Sequence, residues 1–78
     1  NFLEQNNIQF FPNPFTDNLF IGDPEELLKS VLIASPDGKT HYQGSEMQIN
    51  TRHLHAGIYF AQITLKNGNS YVEKLIKQ

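Results

Sequence analysis

The sequence predicts an all-β domain, a seven-stranded antiparallel β-sandwich, and three observations carry that prediction. Apolar residues come in short runs with two-residue alternation, not at helical spacing. Pro, Gly, Asn and Asp interrupt these runs at close intervals. The chain has 78 residues, 38% of them hydrophobic and 12% aromatic, which is room for one domain. A domain of this size hides only about 60% of the surface its unfolded chain exposes, so the core must be thin.

Residues 1–7 are rich in Asn, Gln and Glu and read as a linker tail; residues 8–78 form the domain. Residues 8–11 are a first strand, stopped by Pro12-Asn13-Pro14. Each proline fixes φ and lacks an N–H, and Pro14 also pushes Asn13 out of the helical region. Residues 15–21 form the second strand, with Phe15, Leu19 and Ile21 spaced to share a face. Asp23-Pro24-Glu25-Glu26 has two readings. Asp23 as N-cap, Pro24 at the first helical position and Glu26 two further on would open a helix. Alternatively the four residues form a type I turn with Pro second. The run that follows, residues 27–34, ends in β-branched residues and has no helix stop, which favours a turn and then a strand.

Pro36-Asp37-Gly38-Lys39 is a reversal, with Gly38 free to take positive φ. Residues 40–42 are a short strand, Gln43-Gly44-Ser45 a turn, and Met47 and Ile49 mark a fifth strand. Residues 51–56 cross over as a loop. Residues 57–66 are the strongest strand signal, with Tyr59, Ala61, Ile63 and Leu65 on one face. Asn67-Gly68 suits a hairpin turn with two positive φ values. Residues 70–77 return as the final strand. Seven short strands with turns at this spacing point to an Ig-like sandwich with Greek-key-like connections.

Charge and composition narrow the function. Lys and Arg total six and are scattered, and the net charge is −2, so no basic stripe is present to neutralise phosphates. Nucleic-acid binding is not expected. No stretch approaches the ~20 apolar residues of a membrane helix, and no charged segment precedes an apolar one as in a secretory leader. The chain begins at Asn1 and not at Met, which suggests an excised C-terminal fragment or a trimmed chain. It contains no cysteine, which removes disulfides, thiol nucleophiles and thiolate metal sites together.

Candidate chemistry is sparse. His53 and His55 lie two apart, on one side of an extended segment, and His41 is a third candidate ligand. No carboxylate sits beside them, and a solvated loop is the simpler reading, so no metal or cofactor is expected. Glu25 and Glu26 are adjacent and point apart in an extended chain, unlike a glycosidase pair. Ser30, Ser35, Ser45 and Ser70 lack a G-x-S-x-G context. Catalysis is not expected. The aromatics exceed what a thin core takes up: Phe10 and Phe11 face opposite ways, as do Tyr59 and Phe60. Some must therefore lie on outer faces or edges, as edge packing, a protein-docking surface or a sugar platform. The last strand either finishes this sandwich or is offered to a partner sheet by β-augmentation, with Lys74 and Lys77 limiting uncontrolled edge pairing.

The order of features resembles the type A C-terminal sorting domain of the bacterial type IX secretion system, the Por secretion system sorting family. Phe11-Pro12-Asn13-Pro14 followed by Asn18-Leu19-Phe20-Ile21 is similar to that family's "YPNP…L.I" block. Val31-Leu32-Ile33 with Gly38-Lys39 resembles its "V.IYD..GK" strand and turn. Ile49 with Leu54-His55-Ala56-Gly57-Ile58-Tyr59 resembles "IDLS.LPAGIY", and Glu73-Lys74-Leu75-Ile76-Lys77-Gln78 its terminal "..K.IVK" strand. Ala34-Ser35-Pro36-Asp37, and His55 before Ala-Gly, depart from the pattern.

The resemblance implies a C-terminal secretion and sorting signal that directs an attached N-terminal cargo across the outer membrane. The route is through the periplasm to the cell surface or medium. It implies no membrane insertion and no nucleic acid. Its implied partners are an outer-membrane shuttle protein, a translocon and a sortase-like peptidase that cuts in or before residues 1–7. Carried over residue by residue, recognition would fall on Pro12, Asn13, Pro14, Gly57, Tyr59, Lys74, Leu75, Ile76, Lys77 and Gln78. The competing expectation is an Ig-like carbohydrate-binding or adhesion module, favoured if outward aromatics form one flat strip.

Overall fold

Two-residue alternation lets one face of each strand enter a core while the other meets water, and the computed structural model, which describes residues 8–78, follows that rule except in the fourth strand, which has no buried residue, and at a bulge in the third. The expected linker, residues 1–7, lies outside the described residues. Seven strands run in order: β1 (Gln9–Phe11), β2 (Asn18–Gly22), β3 (Leu28–Ala34), β4 (Thr40–Gly44), β5 (Gln48–Asn50), β6 (Gly57–Leu65) and β7 (Ser70–Lys77). They form a three-stranded sheet, β1-β2-β5, and a four-stranded sheet, β4-β3-β6-β7. All strand pairs are antiparallel. β2 takes β5 as neighbour and β3 takes β6, so the chain changes sheet between β2 and β3, β4 and β5, and β5 and β6. These crossovers are the Greek-key-like connections the sequence predicts.

The core lies between the sheets. Phe15, Leu19, Val31, Ile33, Ala61, Ile63 and Leu75 are fully buried, with Phe10, Ile21, Leu28, Ile49 and Tyr59 nearly so. Each large side chain in such a core contributes about 1.5–3 kcal/mol relative to exposure. Tyr59 near the start of β6 donates its hydroxyl to the His55 carbonyl at 2.7 Å. A tyrosine at a sandwich corner bonding a few residues upstream is a recurrent device of Ig-like folds. Among the described residues no buried side-chain nitrogen or oxygen lacks a hydrogen-bond partner.

Turn chemistry accounts for the connections. The segment after β2 is a turn and not a helix: the Glu26 N–H donates to the Asp23 carbonyl at 3.0 Å, and Glu26 has φ 54°. The Asp23 carboxylate accepts the N–H groups of Leu27 and Leu28, each at 2.9 Å. A helix N-cap would bind amides two or three residues on; reaching four and five residues on, Asp23 instead steadies the start of β3.

The β3–β4 and β6–β7 hairpins share one design. In each, the Gly N–H donates three residues back, Gly38 to Ser35 and Gly68 to Leu65, both at 2.9 Å. Each Asx side chain accepts the N–H two residues on, Asp37 from Lys39 at 3.1 Å and Asn67 from Asn69 at 2.9 Å. Gly38 and Gly68 have φ 92° and 93°. The expected pair of positive φ values at Asn67-Gly68 is therefore corrected. Only Gly68 is left-handed, as in a three-residue loop in which a type I turn is completed by a left-handed residue.

The expected second strand is also corrected. Phe15 does not belong to β2; it forms a separate parallel bridge with Lys77. Thr51 divides the run: its N–H donates to the Asp17 carbonyl at 2.9 Å and its Oγ1 to the Thr16 carbonyl at 2.7 Å. Those bonds turn the chain between Phe15 and Asn18 so that each end reaches a different sheet.

Candidate functional site

Pro12 and Pro14 offer no N–H, so the loop between β1 and β2 must attach to its surroundings by other groups. It does so through the Asn13 side chain and the Phe15 backbone. Asn13 Oδ1 accepts the Ile76 N–H at 3.1 Å, and Asn13 Nδ2 lies 3.4 Å from the Lys74 carbonyl. Phe15 donates its N–H to the Ile76 carbonyl and accepts the Gln78 N–H, both at 2.9 Å. The loop thus lies along the edge of β7 opposite β6 and fills the hydrogen-bonding positions of its C-terminal half. Pro12, Asn13 and Pro14 are themselves exposed, and both X–Pro bonds are cis.

Beneath this edge lies a buried polar knot. Phe15 is fully buried, and its ring is tilted against Tyr59 with centroids 6.4 Å apart. Lys77, expected to guard an open edge, instead points inward and is 7% exposed. Its Nζ lies 5.9 Å from the Phe15 ring centroid and donates to the Thr16 carbonyl. Lysine is almost never so buried without such partners. The alternation of β7 explains the correction: Tyr71, Glu73, Leu75 and Lys77 share the inward side, whereas Val72, Lys74 and Ile76 face out.

The ten residues implied by the resemblance therefore divide. Pro12, Asn13, Pro14, Gly57, Lys74, Ile76 and Gln78 are exposed, and Asn13, Lys74, Ile76 and Gln78 meet at the sealed edge. Gly57 starts β6 opposite Lys77 with φ 146°. Tyr59, Leu75 and Lys77 are buried. Sequence reasoning missed Phe15, Thr16 and Thr51 as members of this corner. The one available signal was Thr51, a β-branched hydroxyl placed where an exposed loop begins.

Other chemistry-bearing groups resolve as structure. His41 is half-buried in β4, within the short strand the sequence places at residues 40–42, with its ring edge-on to Tyr59 at 5.3 Å. His53 and His55 are exposed, and no three His, Cys, Asp or Glu side chains cluster among the described residues. Ser35 Oγ donates to the Asp37 carboxylate and lies 3.0 Å from His41 Nε2. A hydroxyl has one proton; with that proton on Asp37, His41 must donate to Ser35 and cannot activate it as a nucleophile. The Ser35 hydrogen bond and the Lys39 N–H hold the Asp37 carboxyl below its ordinary 3.8. The cluster locks the β3–β4 turn.

A shallow cleft of about 660 Å³ lies at the far end, lined by Leu27, Leu65, Tyr71 and the β6–β7 turn. Within it, burial is the main reason the Tyr71 hydroxyl is raised above 10.0, with Glu73 and Asp23 adding to the effect.

None of the curated proteins matches this chain. The family model described as the secretion system C-terminal sorting domain matches residues 9–78, from the first residue of β1 through β7 and the sealed corner. The chain belongs to the type IX secretion system C-terminal sorting domain family.

Proposed function

We propose that this domain is a noncovalent address that type IX machinery reads to carry an attached cargo across the outer membrane, with no chemistry of its own. Membership of the family implies interaction with that machinery and export to the cell surface or medium. The finer steps belong to this reading: periplasmic transit, engagement by a shuttle protein, and removal by a sortase-like peptidase. The observation that carries it is the corner where the Pro12-Asn13-Pro14 loop is bonded to β7, because it joins the first and last of the family's sequence blocks into one surface. A carbohydrate-binding role is disfavoured by placement. Phe11 and Phe20 stack on the outer face of the three-stranded sheet, whereas Phe60 lies outside the other sheet. They do not form one platform.

A reporter carrying residues 1–78 at its C-terminus tests the reading in a type IX-competent bacterium. The reporter is expected outside the cell only with the tail present and only when the translocon is intact. Equal release without the tail, or without the translocon, overturns it.

A further inference from the structure

The two outer sheet faces differ in kind. Outside the three-stranded sheet, Gln9, Asn18, Gln48 and Asn50 surround the Phe11–Phe20 stack. Outside the four-stranded sheet one part is apolar, bordered by Gln62, Thr64 and Ser70 toward the other end. Ile58, Phe60, Val72 and Ile76 are 44%, 38%, 61% and 40% exposed. The register sets Ile58 beside Ile76, Phe60 beside Lys74 and Gln62 beside Val72. Leu32 and Ala34, half-buried, continue the rows from β3 beside Gln62 and Phe60. Single exposed apolar residues need no explanation, but a contiguous patch with a polar rim marks an interaction surface.

Charge chooses the occupant. Within the apolar patch Lys74 is the charged side chain, sitting between the isoleucine pair and Val72, and the other charge on this face, exposed Lys29, lies at the β3 bulge beside Ser30 and Thr64. The carboxylates Asp17, Asp23, Glu25, Glu26, Asp37 and Glu46 all lie in turns and loops outside the strands, and Glu73 faces inward. A partner carboxylate is therefore drawn to Lys74 within this apolar patch, whereas in the turns acidic and basic side chains stand together. A second copy stacked across a two-fold axis that passes between Phe60 and Lys74 would instead bring Lys74 toward Lys74, which is unfavourable. Strand addition along the C-terminal half of β7 is closed as well, because Asn13 and Phe15 already hold that edge.

We propose that the outer face of β6 and β7, centred on Lys74 and Phe60, docks onto a protein of the secretion machinery that presents an apolar patch with a carboxylate opposite Lys74. This inference rests on the sorting function proposed above. The terminal strand is read by its outward side chains and not by its backbone edge.

Reporter export with the full chain attached tests it. Ile58→Thr with Phe60→Thr, and separately Lys74→Glu, are expected to lower export about tenfold or more, as loss of a central contact does. Lys74→Arg is expected to retain it. Met47→Thr removes exposed apolar surface elsewhere and is expected to leave export within about twofold, since it touches no docking contact. Protease resistance of the tail in each fusion checks that it remains folded. Wild-type export by the folded Ile58/Phe60 and Lys74→Glu variants overturns the docking face and leaves the sorting function standing. Failure of the unaltered tail to export overturns the sorting function itself. Concentration-dependent dimerisation of the unaltered chain, abolished by Phe60→Thr, assigns the face to a second copy and overturns the proposal.

Discussion

The Thr16 carbonyl accepts two hydrogen bonds at once, from Thr51 Oγ1 and from Lys77 Nζ. A carbonyl has two lone pairs, so this one atom satisfies the two buried polar side chains of the core. Thr16 itself is exposed, and nothing in its side chain announces the role. Thr51→Val keeps the shape and removes the donor. Loss of such a bond costs about 1 kcal/mol. For a domain of this size the expected fall in Tm is about 4–8 °C, measured by thermal denaturation of the 78-residue chain. An unchanged Tm would show that Lys77 alone is sufficient for this carbonyl. Burial of individual residues was legible where alternation was strict, as for Tyr59, Ala61 and Ile63. It was not legible for Lys77, because a lysine at an inward position becomes tolerable only once Phe15 and Thr16 are brought beside it.

Among the elements, β3, β6 and β7 lie within a residue of where period-two patterning places them, because each crosses a full sheet and must keep one face buried. The shorter runs were less legible. Phe15 has the spacing of β2, but parity does not tell which sheet a residue joins. The β7 edge is the clearest case of an element completed from outside itself. A bare strand edge is a template for other chains, and here the Asn13 amide occupies it. Asn13→Ala removes the acceptor of the Ile76 N–H. Hydrogen exchange at Ile76 is expected to speed up about fivefold, the kinetic equivalent of a bond worth about 1 kcal/mol. The Leu75 amide, whose residue pairs with Tyr59 across β6, is expected to change much less. Equal acceleration at both would mean that Asn13 supports the whole strand and not its outer edge.

For the whole molecule, the first loop and last strand close the sandwich, so residues 75–78 belong to the core as well as to the candidate signal. Deleting them removes fully buried Leu75, inward Lys77 and the partners of Phe15. Loss of a buried leucine alone costs about 2–5 kcal/mol. A domain of this length has about 4–12 kcal/mol in total. The deleted chain is expected to lose its cooperative melting transition and its resistance to protease. A retained sharp transition would contradict that account. The expected collapse is also why substitutions of outward residues test recognition better than truncation.

The family and the all-β class were determined by the sequence alone. Turn residues and two-residue alternation are local properties, and the ordered blocks are carried by residues close together in the chain. The close association of Asn13 and Phe15 with β7, the inward turn of Lys77, and the separation of the aromatics onto opposite outer faces were decided only by the tertiary structure. Each depends on partners roughly sixty residues apart or on different sheets. No local pattern records such pairings. They follow from which strand edges and which buried polar groups are left to satisfy once the two sheets have packed.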